Sequence, residues 1–317
     1  MLSPANFLDA ILVRGEDRLA FLQGQLSCDL INAEGSIQLA AMCNPKGRII
    51  ALFHVICAHE TVYLIGRRAI IESAATHLKR FIFRSKVTIE HQQPVTIYLS
   101  VGVNEKDEPA LLPGTIQELD SGSVRARLAN PNSLELVLST NTIANDNNPH
   151  TEAIWSRSLH INGIPEITPE QSEKYLPESL NLDLSGGINF DKGCYTGQEV
   201  IARMHYLGKA KKRLYQITTD EPARLEPGMP VFNQHGTELG EIFSVSLQID
   251  YEARQVRSME STDIENLVQA DQIGLAILAN GNDKKNDNDT HQSHRYWLNY
   301  APNHPQAIGI SAVLPVY

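Results

Sequence analysis

The sequence predicts an α+β protein whose C-terminal third is all β. Three observations carry this expectation. Helical periodicity and hairpin patterning alternate over the first 85 residues, short β-prone runs punctuated by Gly and Pro fill the chain after Gly208, and no sustained β-α-β alternation joins the two. A doubly wound parallel sheet is therefore disfavoured.

Gly15 to Leu30 places Leu19, Leu22 and Leu26 at helical spacing behind an acidic first turn, predicting a short amphipathic helix. Ser36–Cys43 and Arg48–Cys57 are apolar runs around Asn44-Pro45-Lys46-Gly47. Asn, Pro and Gly stand there where a type I turn prefers them, so a hairpin is expected. Thr61–Ile65 reads as a third strand, and Arg68–Phe83 as a helix with Ile71, Ala74, Ala75, Leu78 and Ile82 on one face. Val87–Glu90, Val95–Val103, Ser123–Leu128 and Ser133–Leu138 read as strands. Asn141–His150 is a polar linker, and Glu152–Ile161 a helix closed by Gly163 and Pro165. Arg213–Thr218, Met229–Phe232 and Leu239–Gln248 predict a small β-barrel or sandwich, with Asn280–His294 as a polar surface loop. The expected domains are 1–85 with 140–208, then 86–139, then a C-terminal β-barrel over 209–317.

A composition of 42% hydrophobic and 20% charged residues is ordinary for a globular chain. A formal charge of −10, from 27 basic and 37 acidic residues, argues against a broad phosphate-binding face. The N-terminal segment lacks the basic leader and cleavage site of a signal peptide. The longest apolar run, Ile49–Ala58, falls short of the ~20 residues of a membrane span, so no membrane partner is expected. Cys28, Cys43, Cys57 and Cys194 form no C-x-x-C pair, which fits a reducing compartment, the cytoplasm, and disfavours a self-contained metal site. Phosphate-loop, dinucleotide, nucleophile-elbow and zinc-protease patterns are absent.

The chemistry concentrates in Lys192-Gly193-Cys194-Tyr195-Thr196-Gly197-Gln198-Glu199. Thr196 and Glu199 have the spacing of a capping box, predicting a helix from Gly197, and Tyr195 with Val200 would form the hydrophobic staple. Cys194 would then lie just outside a helix mouth and near Lys192, where positive charge favours a thiolate. Cys194 and Lys192 are accordingly the expected reactive groups.

The string KGCYTGQE resembles the signature of the YgfZ family of folate-binding proteins, which are similar to the glycine-cleavage aminomethyltransferase GcvT. Gln23-Gly24-Gln25 with Asp29, Asn44-Pro45-Lys46-Gly47, and Trp155 eight residues before Gly163-Ile164-Pro165 extend the resemblance along the chain. It implies a multi-domain ring around a central cavity that binds tetrahydrofolate or a one-carbon derivative. Trp155, Asn162, Tyr195, Gln198, Glu199 and Arg203 would then be cofactor-binding. It also implies iron–sulfur client or assembly proteins as partners, with tRNA thiomethylation supported through them.

Two positions depart from that pattern. Ala51 and Leu52 stand where aminomethyltransferases carry acids, so the transferase reaction lacks its expected acid/base group. Ile161 and Asn162 stand where relatives place an acid that clasps the pterin. An accessory factor in iron–sulfur maturation is thus the first reading, leaning away from an enzyme. A folate-dependent one-carbon transferase or demethylase is the alternative, and a thiol hydrolase using Cys194 and His205 a third. The basic clusters Lys79, Arg80, Arg84, Lys86 and Lys209, Lys211, Lys212, Arg213 read as solvated helix ends, with direct tRNA contact the less favoured reading.

Overall fold

The computed structural model describes residues 2–92, 95–101, 111–119, 122–131, 134–143, 145, 148–208, 210–219, 225–246, 272–279, 294–298 and 308–313. Residues 280–293 of the polar C-terminal tract and Lys209 of the second basic cluster lie outside the described residues. The chain divides into two compact units. The first comprises Met1–Thr151, Glu166–Glu178 and Leu182–Gly208, and the second Glu152–Pro165, Ser179–Asn181 and Lys209–Tyr317.

The first unit holds two five-stranded antiparallel sheets. Its elements are β1 (Leu2–Pro4), β2 (Leu8–Arg14), α1 (Arg18–Gln23), β3 (Ser36–Cys43), β4 (Ile49–Cys57), β5 (Thr61–Arg67), α2 (Arg68–Lys79) and β6 (Thr88–Glu90). They continue with β7 (Thr96–Val101), β8 (Ile116–Glu118), β9 (Val124–Arg127) and β10 (Leu134–Ser139). One sheet runs β3–β4–β5–β2–β6, the other β1–β7–β10–β9–β8. β4 is buried along its whole length, and in β2 only Arg14 escapes burial. That is why Leu8–Arg14 shows no alternation: a strand covered on both faces loses the period-two signal. α2 packs on β2, β4 and β5 through Ile70, Ile71, Ala74, Ala75 and Leu78, all buried.

Two expected helices are shorter than their periodicity suggests. α2 ends at Lys79 rather than Phe83. The helix expected over Gly15–Leu30 stops at Gln23, because Leu26 leaves to bridge Met42 of β3. Beside it, the fully buried Ser27 hydroxyl donates to the Gly187 carbonyl at 2.5 Å and accepts from the Ala41 amide at 2.7 Å. Tertiary hydrogen bonding outweighs helical propensity there.

In the first unit, 166–178 lies against the start of β4. The Ile49 amide donates to the Tyr175 carbonyl at 2.9 Å, the Glu173 amide to the Ile49 carbonyl at 2.7 Å, and Arg67 pairs with Glu166 at 2.7 Å. A 3-10 turn, Pro177–Leu180, follows, and α4 (Gln198–Leu207) closes the unit.

The second unit contains α3 (Thr151–Ile161) apart from its first residue, and strands β11 (Lys212–Thr219), β12 (Pro230–Phe232), β13 (Glu238–Val245), β14 (Gln272–Ala279), β15 (His294–Leu298) and β16 (Ile308–Val313). The six strands pair antiparallel in the closed cycle β11–β14–β13–β12–β15–β16. Ile217, Val231, Ile242, Ala276, Leu278 and Ala312 form its apolar interior. α3 docks on it where Gln216 donates to the Ile161 carbonyl at 3.2 Å and His160 meets the Ser244 hydroxyl at 2.9 Å. Among the described residues no helix is long and apolar enough to cross a membrane.

Replacing Ser27 by Ala strands a buried carbonyl and a buried amide, each costing about 1–3 kcal/mol. Urea denaturation of Ser27→Ala should show a loss of about 2–6 kcal/mol, and a loss below about 0.5 kcal/mol would refute this role for the hydroxyl.

Candidate functional site

Two segments singled out in the first unit, 23–29 and 44–47, converge on the loop that carries Cys194. Asn44 opens the hairpin turn as expected. Its side-chain oxygen accepts from the Lys46 and Arg48 amides at 2.9 and 3.0 Å, while the Gly47 amide donates to the Asn44 carbonyl at 2.9 Å. Against this turn sits Gly197, with φ +87°. A Cβ there would lie 2.6 Å from the Asn44 oxygen and 3.0 Å from the Gly47 Cα, and a Cβ on Gly47 would lie 3.1 Å from the Val200 Cβ. Only two glycines permit this approach.

That contact corrects the capping-box expectation. α4 begins at Gln198, its cap is the left-handed Gly197, and no side chain caps it. Thr196 instead gives its amide to the Gly24 carbonyl at 3.1 Å. The staple fails with the same shift, since Tyr195 and Val200 no longer hold the positions flanking the cap. Cys194 stands one residue further from the helix than the capping box would place it.

Lys192 is buried, and its ammonium donates to the carbonyls of Gln23, Leu26 and Cys28 at 2.9, 2.6 and 2.6 Å. A lysine has three protons to give, and all are used. The same nitrogen lies 5.0 Å from the centre of the Tyr195 ring. Burial lowers the Lys192 pKa to about 8, with Cys28 and Asp29 opposing the fall. The accepting loop is shaped by Gln23, which donates to Asp29 at 2.8 Å and accepts from the Leu30 amide at 2.8 Å. The Gln23 hydrogen bond is the main reason the Asp29 carboxyl titrates below its usual range.

Cys194 is exposed, whereas Cys28, Cys43 and Cys57 are buried, their thiols pushed up to about 12 by burial. Behind the loop, Tyr195 is buried and its hydroxyl has no hydrogen-bond partner among the described residues. Burial raises the pKa of this phenol, with Cys43 and the buried Glu178 adding to the rise. Glu178 lies on the 3-10 turn in no recognisable motif, and a buried carboxylate there has no sequence signal.

Of the other expected site residues, Gln198 is half-buried while Glu199 and Arg203 lie exposed on α4. Trp155 is fully buried and, with the half-buried Asn162, belongs to the second unit. Ala51 and Leu52 are buried on β4. The ring of His205 stacks on Phe190, centroids 3.7 Å apart, and no hydrogen bond joins it to Cys194 among the described residues. Among the same residues no group of three or more His, Cys, Asp or Glu is placed to hold a metal ion.

Two predictions follow from this geometry. Gly197→Ala forces a non-glycine residue into the left-handed region against the Asn44 carbonyl, so equilibrium unfolding should show a loss of at least about 1–3 kcal/mol, and an unchanged midpoint would remove the constraint. In the folded protein one thiol should react with Ellman's reagent up to pH 9, four in denaturant, and none in folded Cys194→Ala. Fast reaction of a second thiol in the folded state would contradict the burial pattern.

No family model matches the chain. Proteins named tRNA-modifying protein YgfZ are similar to it. The one from Colwellia psychrerythraea is 29% identical over 66% of this chain and 69% of that one, and the one from Vibrio atlanticus 28% identical over 71% and 72%. The crystal structure of glycine cleavage system aminomethyltransferase T from Bartonella henselae matches with a TM-score of 0.66 at 11% identity, covering 100% of this chain and 87% of that one, and shows the fold. The protein of the same YgfZ name from Hamiltonella defensa is 30% identical over 66% of this chain and 67% of its own, and on that likeness the chain belongs to the YgfZ family.

Proposed function

We propose that this chain is a tetrahydrofolate-binding accessory protein in iron–sulfur protein maturation or repair, supporting tRNA thiomethylation indirectly, with Cys194 as its reactive group. The observation that carries this reading is the Cys194 loop itself. It presents the one exposed thiol of the four, and its neighbours are fixed by Lys192, Thr196 and Gly197 to two separate segments of the fold. Such bracing suits a thiol that must meet a partner in a set geometry. In this reading Lys192 is a positioning residue, because its protons are committed to backbone carbonyls.

The names of the relatives and the aminomethyltransferase-like fold support folate as the cofactor. The buried Tyr195 hydroxyl, without a hydrogen-bond partner among the described residues, fits a polar heterocycle, which presents hydrogen-bonding edges. Tyr195, Gln198, Glu199 and Arg203 of the first unit are the residues that would hold it. When bound, folate supplies a carrier for one-carbon units. The buried, apolar Ala51 and Leu52 favour the accessory role over a transferase. The β11–β16 cycle as a small C-terminal barrel belongs to the same proposal. So does a place in the cytoplasm.

A strain carrying Cys194→Ala should lose iron–sulfur enzyme activity and thiomethylated tRNA to the level of a deletion, while the purified variant still binds tetrahydrofolate. Binding is read from Trp fluorescence with Trp155→Phe as control. Wild-type values for both cellular readouts would overturn the role of the thiol, and no saturable response at sub-millimolar folate would overturn the cofactor.

A further inference from the structure

The segment that follows α2 carries a basic, aromatic surface that no part of the proposed folate or thiol chemistry uses. Lys79 ends the helix, and Arg80, Phe81, Phe83, Arg84 and Lys86 come after it. Sequence alone reads this cluster as a solvated helix end. The structure adds an exposed ring, since Phe83 is 85% exposed and Lys79, Arg80 and Arg84 are exposed with it. The half-buried Phe81 keeps its ring 5.2 Å from that of His77. Cations and rings thus alternate along one strap.

The strap is held at both ends. The amides of Arg80, Phe81 and Ile82 donate to the carbonyls of His77, Leu78 and Lys79 at 3.2, 3.0 and 3.3 Å, which extends the helix by a tight turn. At the far end the Lys86 amide donates to the Asp17 carboxylate at 2.7 Å and the Lys86 ammonium to Glu16 at 2.8 Å. Phe83 and Arg84 lie between these anchors, so a fixed turn presents the ring.

The same anchors shape the local charge. Lys86 engages Glu16 and Asp17, while Arg14 pairs with Glu90 and Arg67 with Glu166, both at 2.7 Å. Glu173 lies near His77, and Glu72 two turns back along α2. Lys79 meets the His91 ring at 3.4 Å, which leaves its charge uncompensated. No carboxylate among the described residues pairs with Lys79, Arg80 or Arg84, so three positive charges remain for an outside anion.

A ligand that alternates an anion with a flat ring matches this pattern, and single-stranded nucleic acid carries a phosphate and a base at every nucleotide. Unstacked bases of that kind are displayed by RNA loops and ends. A bilayer matches poorly. The apolar face of α2, from Ile70 to Leu78, is spent on the core, so among the described residues Phe83 is the one exposed large apolar side chain of this stretch. An acidic peptide would engage the cations and has no regular use for the rings.

We propose that Lys79, Arg80, Phe83 and Arg84 form a contact site for single-stranded RNA, the cations taking phosphates and Phe83 stacking on a base. This goes beyond the accessory reading, in which tRNA is served indirectly. It also stands apart from Cys194, because none of these residues belongs to the segments that hold its loop.

The test titrates the full chain into a fluorescein-labelled oligouridine of about 12 nucleotides and reads anisotropy across a salt series. Wild type should bind saturably with a Kd below about 100 μM at about 50 mM salt, and log affinity should fall with log salt at a slope of about −2, as three neutralised phosphates require. Phe83→Ala should weaken binding at least about fivefold. Arg80→Gln with Arg84→Gln should bring the slope to about −1 or shallower. Both variants should keep the wild-type melting temperature and the single reactive thiol. Lys46→Gln with Lys211→Gln and Lys212→Gln, which removes other exposed cations, should bind within about twofold of wild type. No saturable binding by wild type, or wild-type behaviour of either strap variant, would overturn the proposal. So would a loss of binding in the Lys46, Lys211 and Lys212 variant, which would place the RNA elsewhere. Displacement of the RNA by polyglutamate or by phosphatidylglycerol vesicles at lower concentration than by unlabelled oligouridine would overturn it as well, since the surface would then belong to an acidic peptide or a membrane.

Discussion

Two stretches of backbone approach each other without side chains where the 44–47 turn meets the start of α4, and the geometry of the Cys194 loop follows from that approach. Gly47 and Gly197 both lie in the left-handed region, and a methyl group on Gly197 would intrude on the Asn44 carbonyl. Because Gly197 must turn to fit, the helix starts one residue late, Thr196 is free to bond Gly24, and Cys194 is held outward. The hairpin turn thereby sets the register of the helix.

Lys192 does the complementary work from beneath. Three carbonyls that leave the helical path after α1 would be buried acceptors without donors, and one ammonium satisfies all of them. The cost is burial of a charge, seen in the lowered pKa of this lysine. Asp29 partly offsets that cost, and it is itself held by Gln23. The polar residues of the motifs thus stabilise a loop as a connected network, in which removal of one member leaves others unpaired.

Much of this was legible in the sequence. The hairpin, α2 and α3 were visible because apolar period and turn chemistry are local signals. β2 leaves no trace because burial on both faces erases alternation, and α1 is shorter than its apolar spacing because Leu26 keeps helical spacing but pairs with Met42. At the site, the string around Cys194 marks a loop that Lys192, Thr196 and Gly197 anchor to the 23–28 and 44–47 segments. The capping box was wrong because a capping preference of about 1 kcal/mol yields to a tertiary contact that no local pattern encodes. Glu178 and the stacking of Phe190 on His205 depend on residues far apart in sequence, so only the folded chain reveals them.

The burial of Cys28, Cys43 and Cys57 gives the exposed thiol a chemical solitude with consequences for oxidation. A peroxide that converts Cys194 to a sulfenic acid would find no accessible second thiol on the same chain to resolve it, because the other three are enclosed and held protonated. Resolution then requires a thiol from another molecule, so the redox state of this protein is coupled to whichever low-molecular-weight thiol or partner cysteine reaches the loop first.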